Sequence, residues 1–436
     1  MLAITLASMK VIRLRARAIG ERLKSSLLAL PMVMLVLAIG LVFLTYWLDT
    51  RLPYESWQPE LQFSQSAAVS LLSTISGATI TTAGVVFSLL VVSLQLASGQ
   101  FSPRVLRGFY RHRLGQVVIG LLMSTFTYCV LSLPLLDDQG DHAPSVTVMT
   151  AMVLGLLSII AIVAYLDRIS RRQYVGSIAE RIAAETLDLV HALPAVQEHE
   201  ISAPDVGDLG VPLVVRSAAD GWIQQLSDAL LFDSVPPGSV IHVETRPGAF
   251  ILRGAPLARI WPMPPEPEHT VRQVRDAVVI GSERTMQEDI DFGLRQLNDI
   301  ALRALSPAVN DPTTAIEVLM RVASIMRPLL LADSPPLVTA HATTTLYAPW
   351  KLDHNEYIRH AFDQLRNAAA NQLAVSIALV RTLRMLHIVC RNAGRLDVLP
   401  DLQRQIDLTI KAGEKAGLLP EDLAELRHAS RVTQLG

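Results

Sequence analysis

Two groups of side chains in this chain of 436 residues have types and spacings that could do chemistry. The first is Ser66, Ser70, Ser73, Gly77, Thr81, Gly84 and Ser88, with Gln95 near the same line. Steps of three and four put them on one face of a helix. The stretch holds no charge until Arg104, and its other side is Val, Leu, Ile and Phe. A row of hydroxyls can give ions or water weak contacts at many sites. A row of small residues can equally let helix backbones approach, with hydroxyls bonding across. Both readings stay open. Gln100, Ser102 and Arg104 would stand at the inner mouth of any path.

The second group lies far along the chain. Asp291 and Arg295, then Asp299 and Arg303, are four residues apart and can pair along one helix face. Asn310 and Asp311 follow in the run SPAVNDP. Asp311 before Pro312 is a helix start, N-cap then first turn. This corner could hold a small ligand or a subunit contact through Arg295 and Asn310. Capping plus exposed ion pairs, each worth about 0.2–1 kcal/mol, accounts for the same residues without a ligand.

Other chemistries find little support. The 11 His are scattered, and neither HExxH nor EF-hand spacing occurs, so no metal is expected. P-loop, GxGxxG, GxSxG and kinase signatures are missing, so we read no cofactor and no enzyme. A net charge of −2 gives no reason to invoke nucleic acid. Cys129 and Cys390 are the two cysteines. They form no disulfide framework, which suits a reducing cytoplasm.

The first group needs a membrane to position it. Half the residues are hydrophobic (50%), and the apolar runs crowd into the first part of the chain. Spans are expected at about Leu27–Leu48, along the Ser/Thr/Gly helix, at about Leu114–Leu136 and at about Val146–Leu166. Each has roughly the 20 apolar residues that cross a bilayer. The second run is longer than a crossing needs, so it must tilt, break or extend into the interface. No charged residue sits inside a span, which gives a proton relay or voltage sensor no footing.

Basic residues mark one side. They are Lys10, Arg13, Arg15, Arg17, Arg22 and Lys24, then Arg104, Arg107, Arg111 and Arg113, then Arg168, Arg171 and Arg172. The other loops carry Asp49, Arg51, Glu55 and Glu60, then Asp137, Asp138 and Asp141, so acids dominate there. Lys and Arg in short loops stay inside, so both termini are expected in the cytoplasm. Four spans enclose no wide path alone, so a path would need copies of the chain around an axis.

The later part reads differently. Arg168–Ala195 is expected to leave the membrane as a helical stalk. From Val211 to Pro262, short alternating runs broken by Gly and Pro read as strands and turns. The run Arg246-Pro247-Gly248-Ala249-Phe250, then Arg253-Gly254-Ala255-Pro256-Leu257-Ala258, is similar to half of a biotinyl/lipoyl-type barrel. The segment has no Lys to carry a cofactor, so it is read as a small β module. Next comes a helix over Thr285–Ala304 with a Thr285/Glu288 capping box, then the corner and a second helix. Asn371–Arg391 is apolar enough to mimic a fifth span. Arg381 and Arg384, at about 2.5–3.5 kcal/mol each near a helix centre, argue for a buried soluble helix.

The runs GLRQLNDIALRALSPAVNDPTTA and LLSTISGATITTAGVVFSLLVVSLQLASGQFSPRVL resemble an uncharacterised family of bacterial predicted membrane proteins, domain of unknown function 2254. The resemblance implies an inner-membrane protein with an N-terminal multi-span part and a cytoplasmic C-terminal part. It implies no activity, catalytic residue or ligand.

The expected architecture is an α-helical integral membrane protein with four transmembrane helices and a cytoplasmic α+β region, a small β module plus a helical bundle. Expected segments are a basic cytoplasmic N-terminus (1–26), the four-span domain (27–167), the stalk (168–200), the β module (201–262) and a mainly helical cytoplasmic domain (263–436). The expected function is a homo-oligomeric channel or transporter in the inner membrane, its second span lining the path. Its partners would be the lipid bilayer, further copies of the chain, and small ions or a small ligand. The alternative is a membrane-anchored sensor or scaffold that works through the helical corner.

Overall fold

The computed structural model describes residues 29–51, 63–100, 113–136, 143–172, 175–193 and 209–431. The basic segment 1–26 lies outside them. The chain divides into two compact units, one of residues 19–174 and one built mainly from residues 175–436.

The first unit contains α1 (Ala29–Arg51), α2 (Gln65–Gln100), α3 (Arg113–Ser132) and α4 (Ser145–Arg172). All four are long and apolar enough to cross a membrane. The helix α3 packs against the other three and is the most buried of them. Small residues allow this: a Cβ at Gly120 would stand 3.1 Å from the Pro31 Cα of α1. Polar side chains join the helices at one end of the bundle. The Tyr128 hydroxyl of α3 bonds Thr45 Oγ1 of α1 at 2.9 Å and the Thr147 carbonyl of α4 at 3.1 Å. Asp49, at the end of α1, accepts from the backbone N–H groups of Val146 and Thr147 at 2.9 and 3.0 Å. It therefore supplies acceptors to the orphan donors of the first turn of α4. In sequence, Asp49 reads only as an acid of a short loop.

The second unit begins with α5 (Val175–His191). Its strands are β1 (Leu213–Arg216), β2 (Gly221–Leu226), β3 (Val240–Val243), β4 (Phe250–Ile251), β5 (Pro256–Trp261), β6 (Val278–Gly281), β7 (Val338–His341) and β8 (Thr344–Tyr347). Two short helices interrupt them, α6 (Asp228–Asp233) and α7 (Pro267–Asp276). One sheet has the order β1-β5-β3-β8-β7 and the other β4-β2-β6. Among the described residues, only β3 and β8 pair in parallel. One face of the larger sheet, with Val215, Ile241, Val243, Ile260 and Leu346, packs against Leu230 and Leu231 of α6 and Val274 of α7. The β module therefore does not end at 262, since β6, β7 and β8 complete its sheets from later in the chain.

The remaining helices are α8 (Ile290–Ala304), α9 (Pro312–Leu331), α10 (His354–Ala369), α11 (Leu373–Asn392), α12 (Leu399–Lys415) and α13 (Pro420–Arg431). Helix α5 lies on α8 and α9, burying Ile178, Ala179, Ile182, Ala183 and Val190. The expected stalk is thus, over this part, a member of the helical layer. Its apolar stripe was visible in sequence, but the partner of that stripe lies about 100 residues further on. Helix α8 starts at Ile290, with Asp289 accepting from the Phe292 N–H at 3.0 Å as its N-cap. The expected start at Thr285 does not hold, because Glu288 turns away to accept from the Leu226 N–H of β2. Pro328 sits inside α9, which continues to Leu331. Helix α11 is a fifth segment long and apolar enough to span a membrane. It packs against α9, α12 and α13, burying Val375, Leu379, Val380, Leu383 and Leu386.

Candidate functional site

Helix α2 shows two opposed faces. Ala68, Leu72, Ser76, Thr79, Ala83 and Val86 are buried, where the helix meets α3 and α4. Ser66, Ser70, Ser73, Gly77, Thr81, Gly84, Ser88 and Gln95 are all exposed in the single subunit. At 100° per residue they fall within an arc of about 80°, nearly opposite the buried side. A Cβ built at Gly77 or Gly84 meets nothing within 4 Å. Hydroxyls along this side bond their own helix: Thr81 donates to the Gly77 carbonyl at 2.8 Å and Thr74 to the Ser70 carbonyl at 2.7 Å. Each such hydroxyl spends its proton inward and leaves oxygen lone pairs facing out. The side chain of Gln100, with Ser102 and Arg104, lies outside the described residues.

The second group is not one site. Asp291 and Arg295 lie in the first turns of α8, whereas Asn310 and Asp311 follow its C-terminus. Thirteen residues of helix, about 20 Å at 1.5 Å per residue, separate Asp291 from Ala304. Asp299 and Arg303 fall between, half-buried and exposed respectively. At the corner, Asn310 adopts a left-handed φ of 47°, and its Oδ1 accepts from Gln372 Nε2 at 3.0 Å. Asp311 caps α9, taking the Thr314 N–H at 3.0 Å and hydroxyl at 2.6 Å. Those bonds hold its carboxyl below the ordinary range. Both side chains of the corner thus have internal partners.

Asp291 belongs instead to a buried ionic cluster that the sequence did not reveal. Its Oδ2 accepts from Arg284 Nη2 at 2.8 Å and from Arg295 Nε at 2.7 Å. Its Oδ1 stands 2.8 Å from His360 Nδ1 of α10. Arg284 also forks onto Asp289, with Nη2 at 2.9 Å from Oδ1. The Arg284 guanidinium lies 5.8 Å from the Trp222 ring centre and 5.4 Å from that of Phe292. Gly248, at φ 80°, closes the cluster: a Cβ there would overlap the Asp289 carboxylate and the Arg284 guanidinium. One cluster thus ties strand β2, the turn after β3, the start of α8 and the middle of α10.

The two carboxyls divide the available donors unequally. Burial would raise Asp291, but bonds from His360, Arg284 and Arg295 outweigh it and hold that carboxyl well below its usual range. Burial pushes Asp289 up, against the pull of Arg284 and with the Asp291 charge adding to the rise. Burial, then the charges of Asp289 and Asp291, raise the Tyr357 hydroxyl on α10. This is the pattern of one stable carboxylate anchoring several donors. The pairing Asp291–Arg295 at four residues was legible. Arg284, Asp289 and His360 were not, because nothing local marks residues that meet across three elements. No group of three or more His, Cys, Asp or Glu able to hold a metal occurs among the described residues.

Several bilayer-length apolar helices, joined in one chain to a unit of two sheets and a helical layer, define a membrane protein with a sheet-containing C-terminal region. The chain belongs to the family of predicted membrane proteins described as domain of unknown function 2254, whose model matches residues 24–385. An uncharacterised protein of Mycobacterium tuberculosis is 32% identical over 385 residues, covering 84% of this chain and 72% of that protein. An uncharacterised protein of Mycobacterium bovis is 31% identical over 384 residues with the same coverage. No solved structure gives a significant match.

Proposed function

We propose that this is a homo-oligomeric membrane protein of channel or transport type, with α2 lining the path. The observation that carries the reading is the outward hydroxyl and glycine face of α2, which is exposed among the described residues. Small residues on a membrane helix let a second backbone approach closely, and here that backbone would come from another copy. Outward oxygen lone pairs suit weak contacts to a passing ion. The four helices of the first unit are the spans, α11 stays in the cytoplasm, and both termini face the bacterial cytoplasm. The second unit gates or assembles the first and carries no catalytic role.

The test is cysteine accessibility at Ser73, Gly77, Thr81 and Ser88 in the full chain. Native Cys129 and Cys390 are buried and give a quiet background. A path predicts labelling by water-soluble thiol reagents at all four positions, with disulfide cross-links between copies. Labelling at none of them, while a cysteine on the exposed corner reacts fully, rules the path out. Cross-linking without labelling would leave a dry oligomer contact and no conduction.

The sensor or scaffold reading stays second. Its proposed contact at the corner has Asn310 and Asp311 already engaged with Gln372 and Thr314. Asn310→Ala and Arg295→Ala test it: a change in ligand-induced thermal shift without any change in conductance would favour it.

A further inference from the structure

A groove of about 360 Å³ opens on the β module, between the Arg246–Ala249 turn, strand β4 and Trp350. Its volume is at the lower end for small-molecule sites. Its walls are unusual for a surface. Phe250 is 53% exposed and Trp350 55% exposed, and both rings border the groove. Large aromatic surface left in water beside a concavity marks a contact still to be made.

The charges around it are unequal. Glu244 lines the groove, but its carboxylate is held by Arg259 at 3.0 Å with His242 at 3.6 Å. Arg246 lines it too and is half-buried. Its Nη1 reaches the neighbouring Pro247 carbonyl at 3.4 Å, and it forms no ion pair among the described residues. The uncommitted charge is therefore positive. A guanidinium forks onto planar anions, carboxylate or phosphate, in two parallel bonds.

The back of the groove is braced by contacts. Phe250 stands edge-on to Trp222, with ring centres 5.3 Å apart. Trp222 in turn lies against Arg284 of the buried cluster. The turn carrying Arg246 is pinned where the Gly248 N–H donates to the Ile223 carbonyl at 2.8 Å. A site built in advance loses less on binding.

We propose that this groove binds a small amphipathic anion, a carboxylate or phosphate ester whose flat apolar body lies along Phe250 and Trp350 while Arg246 takes the charge. The site is independent of any path through the membrane.

The experiment is ligand-observed saturation-transfer NMR on the full chain in nanodiscs of zwitterionic lipid. The probes are phenyl phosphate, phenylacetate and benzylammonium, with inorganic phosphate, which has no carbon-bound protons, added as a competitor against the aromatic anions. Wild type should bind at least one aromatic anion, showing which acid group is preferred, and should hold inorganic phosphate and benzylammonium far more weakly. Arg246→Gln should weaken the aromatic anion about tenfold or more, as loss of a hydrogen bond to a charged group implies. Trp350→Ala should weaken it several-fold, with an unchanged melting temperature in both variants. The proposal is overturned if neither aromatic anion binds wild type, or if Arg246→Gln and Trp350→Ala both leave binding intact. Equal binding of inorganic phosphate or of benzylammonium would overturn it as well.

Discussion

The two units handle polar groups in opposite ways. On α2 of the membrane unit, hydroxyls sit on the outer face and bond their own helix, and a Cβ at Gly77 or Gly84 meets nothing within 4 Å among the described residues. In the second unit, the strongest polar groups are buried and satisfied by one another, around Asp291 at 1% exposure. The first arrangement leaves a surface free for association or water. The second spends its polar groups on holding four elements in one geometry. Polarity by itself therefore does not mark a site; what matters is whether the polar atoms already have tertiary partners.

The comparison breaks most sharply at Asp291. Asp291→Ala leaves the Arg284 and Arg295 cations without their shared acceptor, and should cost about 3–5 kcal/mol as a broken buried pair does. Thermal melts followed by circular dichroism would show it; a loss under 1 kcal/mol would mean that the cluster holds nothing together. Next comes Gly293→Ala on α8, whose new Cβ would overlap the Thr186 hydroxyl of α5. Overpacking of that kind should cost about 1–3 kcal/mol in the same melts. Removing the Asp353 cap of α10, which forms a full capping box with Glu356, should cost about 1 kcal/mol. The smallest effect on the fold belongs to the membrane unit. Gly77→Ala and Gly84→Ala should leave subunit stability within about 0.5 kcal/mol, since open space surrounds both. Cross-linking or native mass spectrometry should nevertheless show a changed oligomer. An unchanged oligomer would remove the difference between the two units that matters for function.

Acidity sharpens the contrast further. The Asp291 carboxyl is held below its ordinary range in the folded protein. Its contribution is complete above the unfolded value, about 3.9, and drains as pH falls through the lower folded value. Asp291→Asn should flatten that acid limb. His354 is buried, with Arg395 Nη2 at 3.0 Å from its Nδ1. Burial, then the Arg395 charge, holds it below the ordinary histidine value. Stability is therefore full above about 6.5 and falls as pH drops from there towards the folded value, because the unfolded chain takes the proton first. Melting temperatures at several pH values between 5 and 7 should slope in wild type and flatten in His354→Gln.

Much of the fold was legible where structure is local. The one-faced row on α2 could be read residue by residue, because helical period and residue size are sequence properties. So could the Asp311 cap, which needs only three residues of chain. The misreadings have a common cause. The extra residues before Ile290 looked like a capping box until strand β2 claimed Glu288. The expected stalk carries an apolar stripe whose partner stays hidden in sequence, because α8 and α9, which cover it, lie far along the chain. Asp291 and Arg295 pair as their spacing implies, but grouping them with the corner at the far end of their helix does not hold, because the sequence hides which other groups arrive.

By itself, the sequence determined that this chain meets a bilayer and carries a charge-free helix with one hydroxyl and glycine side. Apolar run length and helical period suffice for that. Only the tertiary structure decided which side of that helix faces its own subunit, and which acids are buried. Those outcomes depend on contacts between segments far apart in the chain, where burial and the donors that arrive there, rather than residue type, set what each group can do.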